Sequence, residues 1–221
     1  MSWFNQYFEF VQNRYPDLLA AMLEHLSITL ISAALGCLIA VPLGIFLASN
    51  RNRWIHSILF GAANVFQTIP SLALLAIMIP LLGIGIKPAV TALFLYSLLP
   101  IMRNTYAGIA SVPPDVIEAA RGMGMSRAQR LLQIQLPLAF PYMMSGIRVT
   151  TVYIISWATL ASLIGAGGLG QLIFAGMGVN NTHLIVSGAI LAILLAFLAE
   201  FLLGRIEKRL TRRVKPAQPA A

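Results

Sequence analysis

Charge is what this sequence has least of. Aspartate and glutamate together number 7 in 221 residues, and only 10% of the chain is charged against 58% hydrophobic. A mean hydropathy of +0.82 lies well outside the range of soluble domains, which excludes an ordinary globular enzyme and indicates an all-α polytopic membrane protein. Cysteine is limited to Cys37, inside an apolar run, so a disulfide framework, a paired-thiol redox motif and a cysteine zinc site are all excluded. Cys37 reads as a small packing residue. His25, His56 and His183 stand singly near the ends of apolar runs without metal-ligand spacing, so they read as interfacial residues and no metal site is expected. No glycine-rich phosphate loop ending in Gly-Lys-Ser/Thr occurs, so the chain does not bind ATP in that manner. Clustered His, Asp or Glu for a membrane-embedded enzyme are also missing.

What is present are apolar runs separated by short basic clusters. Residues 1–24 carry Glu9, Arg14, Asp17 and Glu24 among aromatics, which is not the basic start and apolar stretch of a cleaved signal. They read as an amphipathic lead-in at the membrane interface, with Trp3, Phe4, Tyr7, Phe8 and Phe10 toward lipid or the bundle, or else as a loosely ordered tail. Residues 26–50 lack charge and are long enough to cross roughly 30 Å of hydrocarbon as a helix. Residues 55–86 are too long for one straight span, and Pro80, Gly83 and Gly85 mark its end, which places the second span at 57–81. Further spans are expected at 89–110, 138–164 and 183–203, within a membrane domain of residues 25–205. Arg103 lies within snorkelling reach of one interface.

Lysine and arginine set the orientation. Arg51 and Arg53 lie between spans one and two, and Arg121, Arg127 and Arg130 between three and four. Arg205, Lys208, Arg209, Arg212, Arg213 and Lys215 follow span five, with only Arg14 and Lys87 on the other side. By the positive-inside rule the N-terminus is outside and the C-terminus cytoplasmic. The net charge of +8 therefore reflects cytoplasmic loops rather than nucleic-acid binding. Residues 206–221 form a basic tail, a topology anchor or a stripe for anionic membrane lipids, whose last residues from 216 on read as disordered.

The loop at 111–137 is polar and shaped. Asp115 followed by Glu118 fits an N-cap with a reciprocating acid, so a short helix is expected to begin there. Ala119 and Ala120 would let a partner approach its backbone closely. Gly122 and Gly124 would break it, Gly124 in the left-handed conformation of a helix C-cap. Ser126 with Gln129 supplies a second cap and a second short helix through Gln135, before Leu136-Pro137 turns the chain back into the membrane. A DNA-binding helix-turn-helix has this outline, but the position between membrane spans excludes it. The shape suits docking of a soluble protein.

Other features carry weaker signals. Gly165-Ala166-Gly167-Gly168-Leu169-Gly170 satisfies the dinucleotide pattern, yet it follows a membrane span rather than a strand. It reads as a tight external re-entry or gate loop. Arg148 lies inside the fourth span, where an ionisable group is a functional hypothesis. Gating, snorkelling and bonding to carbonyls freed near Pro137 and Pro141 all remain open, with Glu200 a possible ion-pair partner. Tyr153 and Trp157 are one turn apart, and with Tyr96 or Phe66 they either contact a quaternary ammonium or pack as aromatics. Asn64, Gln67, Ser71, Ser97, Ser156 and Thr159 either line a pathway or join helices.

The stretch Glu118-Ala119-Ala120, Gly124, Ile134 and Leu136-Pro137 resembles the EAA motif of permease subunits of bacterial ATP-binding-cassette importers, at every position and spacing. The run 152–159 and the glycines of 164–170 are similar to glycine betaine, carnitine and choline permeases. The resemblance implies a five-span type I importer permease in the bacterial inner membrane, with no cofactor of its own. Asp115, Glu118, Ala119, Ala120, Arg121, Gly122, Gly124, Ser126, Ile134, Leu136 and Pro137 would form the ATPase-coupling element. The implied partners are two cytoplasmic ATP-binding subunits carrying ATP and Mg, a second permease copy or homologue, and an extracytoplasmic binding protein. Arg148, Tyr153, Trp157, Gly165, Gly167, Gly168 and Gly170 are candidates for pathway or gate. Methionine or another small solute is the alternative cargo. A channel or ion-coupled transporter is the rival mechanism, although the only carboxylates offered to it, Glu24 and Glu200, lie near span ends.

Overall fold

The computed structural model describes residues 3–50 and 52–211. Arg51, Arg212, Arg213, Lys215 and the tail expected at 216–221 lie outside the described residues. Helix α1 runs Trp3–Ser49, α2 Arg53–Thr68, α3 Ser71–Leu82, α4 Ile86–Ala110, α5 Pro114–Gly122, α6 Arg127–Arg130, α7 Leu136–Ala161, α8 Leu169–Gly178 and α9 Thr182–Thr211. A five-residue π-helical segment, Leu131–Gln135, joins α6 to α7. A 3-10 turn at Ser162–Ile164 ends α7.

Of the lead-in expected at 1–24, residues 3–24 are not a loosely ordered tail or a separate helix. They are the first half of α1, whose 47 residues extend about 70 Å at 1.5 Å per residue, more than twice the hydrocarbon thickness. Pro16 and Pro42 lie within it without ending it. Its start packs on the start of α9: Trp3 stacks on Tyr7 at 5.2 Å and on His183 at 5.6 Å, and Phe10 stacks on His183 at 5.6 Å. Ser187 Oγ donates to Tyr7 Oη at 3.2 Å. Phe4 and Phe8 point away from the protein.

Among the described residues four helices are long and apolar enough to cross a membrane, and α2 with α3, bent by 101°, makes a fifth where the pair is taken as one span. The stretch expected as a straight second span is thus a bent pair. The break falls at Ile69-Pro70, because proline has no N–H to continue the ladder and biases its predecessor toward extended backbone, and Ile69 has φ −72° and ψ 129°. Pro80 lies inside α3, which ends at Gly83 with φ +82°. The carbonyl that the break frees is recovered by α4, where Tyr96 Oη donates to Ile69 O, and Gln67 Nε2 donates to Tyr96 O.

Helices α1 and α4 form the most extensive pair, with α7 packed on both, α2 and α3 beside α4, and α8 and α9 beside α7. Small residues make the close approach possible, as between membrane helices generally. A Cβ on Gly44 would come within 2.7 Å of Thr105 Cβ and 2.8 Å of Met102 O. Above this contact Ile28, Leu74, Leu75, Leu93, Tyr96 and Ile154 build the largest apolar cluster. Cys37 packs at the edge of a second cluster around Ala40, Leu47 and Met102.

One element was not expected from the sequence. Helix α8 has 10 residues, too few to cross the bilayer, and folds back against α9 through a turn at Asn180, the one non-glycine among the described residues with positive φ (53°). The helices close tightly because Gly188 faces Leu169 O, where a Cβ would sit at 3.0 Å.

Replacing Gly44 by Leu should destabilise the bundle by roughly 1–3 kcal/mol through overpacking and lower the detergent-solubilised Tm. Gly61→Ala, with open space around the new Cβ and better helix propensity, should leave Tm unchanged or raised. Equal Tm for Gly44→Leu and wild type would refute the α1/α4 packing.

Candidate functional site

The polar loop between α4 and α7 is built by backbone capping. Pro113 occupies the N-cap of α5 and Pro114 its first position, with no side-chain cap. Asp115 is therefore not the cap. It sits in the first turn, where its charge is favourable to the helix dipole, and the expected Asp115–Glu118 capping box does not form. Proline wins the start because its fixed φ suits a first helical position and its missing N–H costs nothing there.

The end of α5 follows the expectation for Gly124 but not for Gly122, which stays helical. Gly124 adopts φ +82°, its N–H donates to Arg121 O at 3.0 Å, and Met125 N–H donates to Ala120 O at 3.2 Å. This is the Schellman pairing, which satisfies carbonyls left open at a helix end. A Cβ at 124 would meet nothing within 4 Å, so the glycine serves φ, not space. The expected box at Ser126 is present: Ser126 N–H donates to Gln129 Oε1 at 2.8 Å and Gln129 N–H to Ser126 Oγ at 3.3 Å. Arg130 Nη1 donates to Met125 O at 2.6 Å and closes the joint.

The outward surface of this loop carries Glu118, Ala119, Arg121 and the exposed side chain of Met123. Ala120 is buried at 1% exposure, so only one of the two alanines faces outward. The second loop helix does not stop at Leu136-Pro137. Leu136 N–H reaches back to Leu131 O, and helix continues without interruption for 38 residues, Arg127–Ile164. The π-helical turn accommodates Pro137, whose missing N–H would otherwise break the ladder. Ile134, Leu136 and Pro137 are half-buried, and Leu136 packs with Ile109, Ala139 and Met143. The loop is thereby fixed to the end of α4 and the start of α7.

Further along α7, Arg148 finds partners on α9. Its Nε lies 3.3 Å from Glu200 Oε1 and its Nη1 2.8 Å from Glu207 Oε2. Neither Nε nor Glu207 Oε2 attains hydrogen-bond geometry, so the contacts are electrostatic. Glu200 was foreseeable as a partner. Glu207 lay past the expected end of the fifth span and was missed, although it continues the helical stripe of Glu200 (i, i+7). Gly204 leaves room for the guanidinium, since a Cβ there would lie 3.3 Å from Nη1.

One turn above Arg148, Tyr153 stacks on Trp157 at 5.7 Å, and Trp157 meets Tyr96 of α4 at 4.8 Å. Phe66 packs against the largest apolar cluster. Tyr153 is half exposed and, with Val149, Val152, Ile193, Phe197 and Glu200, lines an open groove of about 420 Å³ between α7 and α9. Ser97, Ser156 and Thr159 spend their hydroxyls on carbonyls of their own helices.

The glycine run follows a helix, so the dinucleotide context is absent. Gly165, Gly167 and Gly168 have φ of +77°, +79° and +80°, and a Cβ on Gly170 would collide with the backbone carbonyl of Thr159. Two residues of α1 support the loop and were not foreseen in this role: Glu24 Oε2 accepts from Gly168 N–H at 3.0 Å, and His25 lies buried beneath Gly168. His25 Nε2 pairs with Ile155 O at 3.0 Å, so it is a buried joint rather than an interfacial residue. Isolated ionisable residues near a span end carry no sequence signal that names a partner in another span. Among the described residues no group of three or more His, Cys, Asp or Glu is placed to hold a metal ion.

A family model described as the inner membrane component of binding-protein-dependent transport systems matches residues 40–215. The chain is 46% identical over 203 residues to the choline transport system permease protein OpuBB of Bacillus subtilis, covering 92% of this chain and 93% of that relative. It is 44% identical over 207 residues to the glycine betaine/carnitine/choline transport system permease protein OpuCB of the same organism, covering 94% of each. Among solved structures it is similar to an inward-facing MetNI methionine ABC transporter, at 27% identity and a TM-score of 0.80, covering 88% of this chain and 96% of that one. The helical spans and the capped loop thus coincide with a family match across most of the chain, and the protein belongs to the binding-protein-dependent transport inner membrane components, as a multi-pass permease subunit of the ATP-binding-cassette importer type that works with separate ATPase and substrate-binding partners.

Proposed function

We propose that this permease imports quaternary-amine osmoprotectants of the glycine betaine, choline and carnitine class. The observation that carries the reading is the near full-length identity to relatives named for those solutes. At the end of the aromatic run of Tyr96, Trp157 and Tyr153, the half-exposed Tyr153 suits a cation without N–H donors. The N-terminus lies outside and the C-terminus in the cytoplasm, on the strength of the Lys and Arg distribution, so the capped loop faces the cytoplasm.

In this reading the loop is the coupling element, and Glu118, Ala119, Arg121 and Met123 meet a cleft of the ATPase. Two such ATPases hold ATP and Mg and serve two permeases, either copies or homologues. Their closure on ATP draws the two loops together. Because the loop continues into α7 without a break, that displacement tilts α7 as a rigid body and opens the pathway outward. A binding protein delivers solute, and hydrolysis resets the inward-facing state.

Gly124→Val and Glu118→Trp should lower co-purification of the ATPase and coupled uptake by tenfold or more while membrane insertion is retained. Valine at φ +82° adds strain of about 1–2 kcal/mol in an exposed loop, too little to unfold the bundle. Undiminished ATPase recovery with both variants would remove docking from this loop. In proteoliposomes, glycine betaine uptake should require the ATPase, ATP and the binding protein. Uptake by this chain alone would replace the importer reading with a channel or ion-coupled carrier.

A further inference from the structure

The open groove between α7 and α9 lies beside a second one of about 470 Å³, and Phe197 and Glu200 line both. Each has the size of a small-molecule pocket, and their linings differ in charge. In the first, Glu200 is the sole charged residue among apolar and aromatic walls, Tyr153 and Phe197 among them. The second adds Arg148, Arg205 and Lys208.

The charges of this crevice are only partly cancelled. Arg148 lies between Glu200, which lines both parts of the groove, and Glu207, which lines neither, so Glu200 is the one acidic group that faces the first part. Arg205 sits over the Phe201 ring at 4.3 Å and, with Lys208, gives the second chamber a positive surplus. A molecule bound across the junction would place its cationic end against two aromatic faces and its anionic end toward two basic groups.

The kind of cation follows from hydrogen bonding. A primary ammonium brings three donors that must find acceptors when desolvated, and the first chamber offers only the Glu200 carboxylate and the Tyr153 hydroxyl. A quaternary ammonium has no donor and asks only for a negative field and polarizable apolar walls. We propose that the two-chambered crevice is a substrate site for a zwitterionic betaine, with its trimethylammonium between Tyr153 and Phe197 beside Glu200 and its carboxylate toward Arg205 and Lys208. The inference deepens the osmoprotectant reading by giving the permease a solute site separate from the binding protein.

The test uses the full permease–ATPase complex in nanodiscs without binding protein, and measures binding of radiolabelled glycine betaine directly. Saturable binding is expected, displaced by unlabelled betaine but not by 3,3-dimethylbutanoate, its isostere with carbon in place of the cationic nitrogen. Tyr153→Leu and Phe197→Leu should each weaken binding about two- to fivefold, the loss of one cation-π contact at a half-exposed ring, while Tyr153→Phe retains it. Arg205→Gln with Lys208→Gln should weaken glycine betaine yet spare choline, which has no carboxylate. Absence of saturable binding, equal displacement by the isostere, or affinity unchanged by both leucine variants overturns the site. Uptake of betaine by the complete importer is scored separately: uptake without direct binding sinks the crevice alone, and direct binding without uptake sinks the osmoprotectant reading alone.

Discussion

A bilayer core provides no water for a free N–H or C=O, so each departure from helix at membrane depth must be met by a partner within the protein. Three breaks among the described residues are met by such partners. Where Pro70 interrupts the second span, Tyr96 of α4 takes the carbonyl of Ile69. Where α7 ends, Gly85 N–H takes the carbonyl of Ile164 at 2.9 Å, and Glu24 of α1 takes the Gly168 N–H. Each repair links segments far apart in sequence, so the irregular backbone is also what ties α1, α3, α4 and α7 to one another. Local breaks can then act as joints, because the surrounding helices hold both sides.

The same bookkeeping shapes the lever of the molecule. Pro137 would interrupt α7, yet the π-helical turn at Leu131–Gln135 absorbs the missing donor and keeps the helix continuous from Arg127 to Ile164. At the loop end this rod is fixed by the Schellman joint of Gly124 and the Ser126–Gln129 box. Near its middle it is clamped to α9 by Arg148 and its two carboxylates. A displacement applied at α5 and α6 therefore reaches Arg148 without an intervening hinge, and the ion contacts, lacking aligned hydrogen bonds, are of the kind that can yield or re-form with small shifts.

Much of this was readable in the sequence, and what was not has physical reasons. Uncharged runs between basic clusters located the crossings because length and desolvation leave few alternatives, and Gly124 with Ser126–Gln129 located the joint because those residues serve local backbone needs. Asp115 misled because its own preference for a cap lost to Pro113-Pro114, which fix the helix start sooner. Pro70 was passed over in favour of Pro80, and only tertiary context separates them: the carbonyl freed before Pro70 has Tyr96 beside it, whereas Pro80 is carried inside α3. Glu24, His25 and Glu207 act through partners more than one span or turn away, and α8 is too short to register as a crossing. Long-range pairing leaves no period in a sequence.

The placement of the crevice gives the lever something to act on. Arg148 and Tyr153 stand on the same rod as the capped loop, whereas Phe197, Glu200 and Arg205 stand on α9, so any tilt of α7 against α9 changes the separation of the two walls. A ligand shifts a conformational equilibrium only by its difference in affinity for the two states, and a site assembled from both sides of a moving boundary has such a difference by construction. Linkage then runs both ways. On the proposed reading, occupancy of the crevice would bias the angle of α7 and hence the posture of the loop, just as closure of an ATPase on the loop would bias the crevice. A betaine held between Tyr153 and Phe197 would thus report its presence to the capped loop through one helix, with the Arg148 clamp setting how far that helix moves before the contacts to Glu200 and Glu207 are lost.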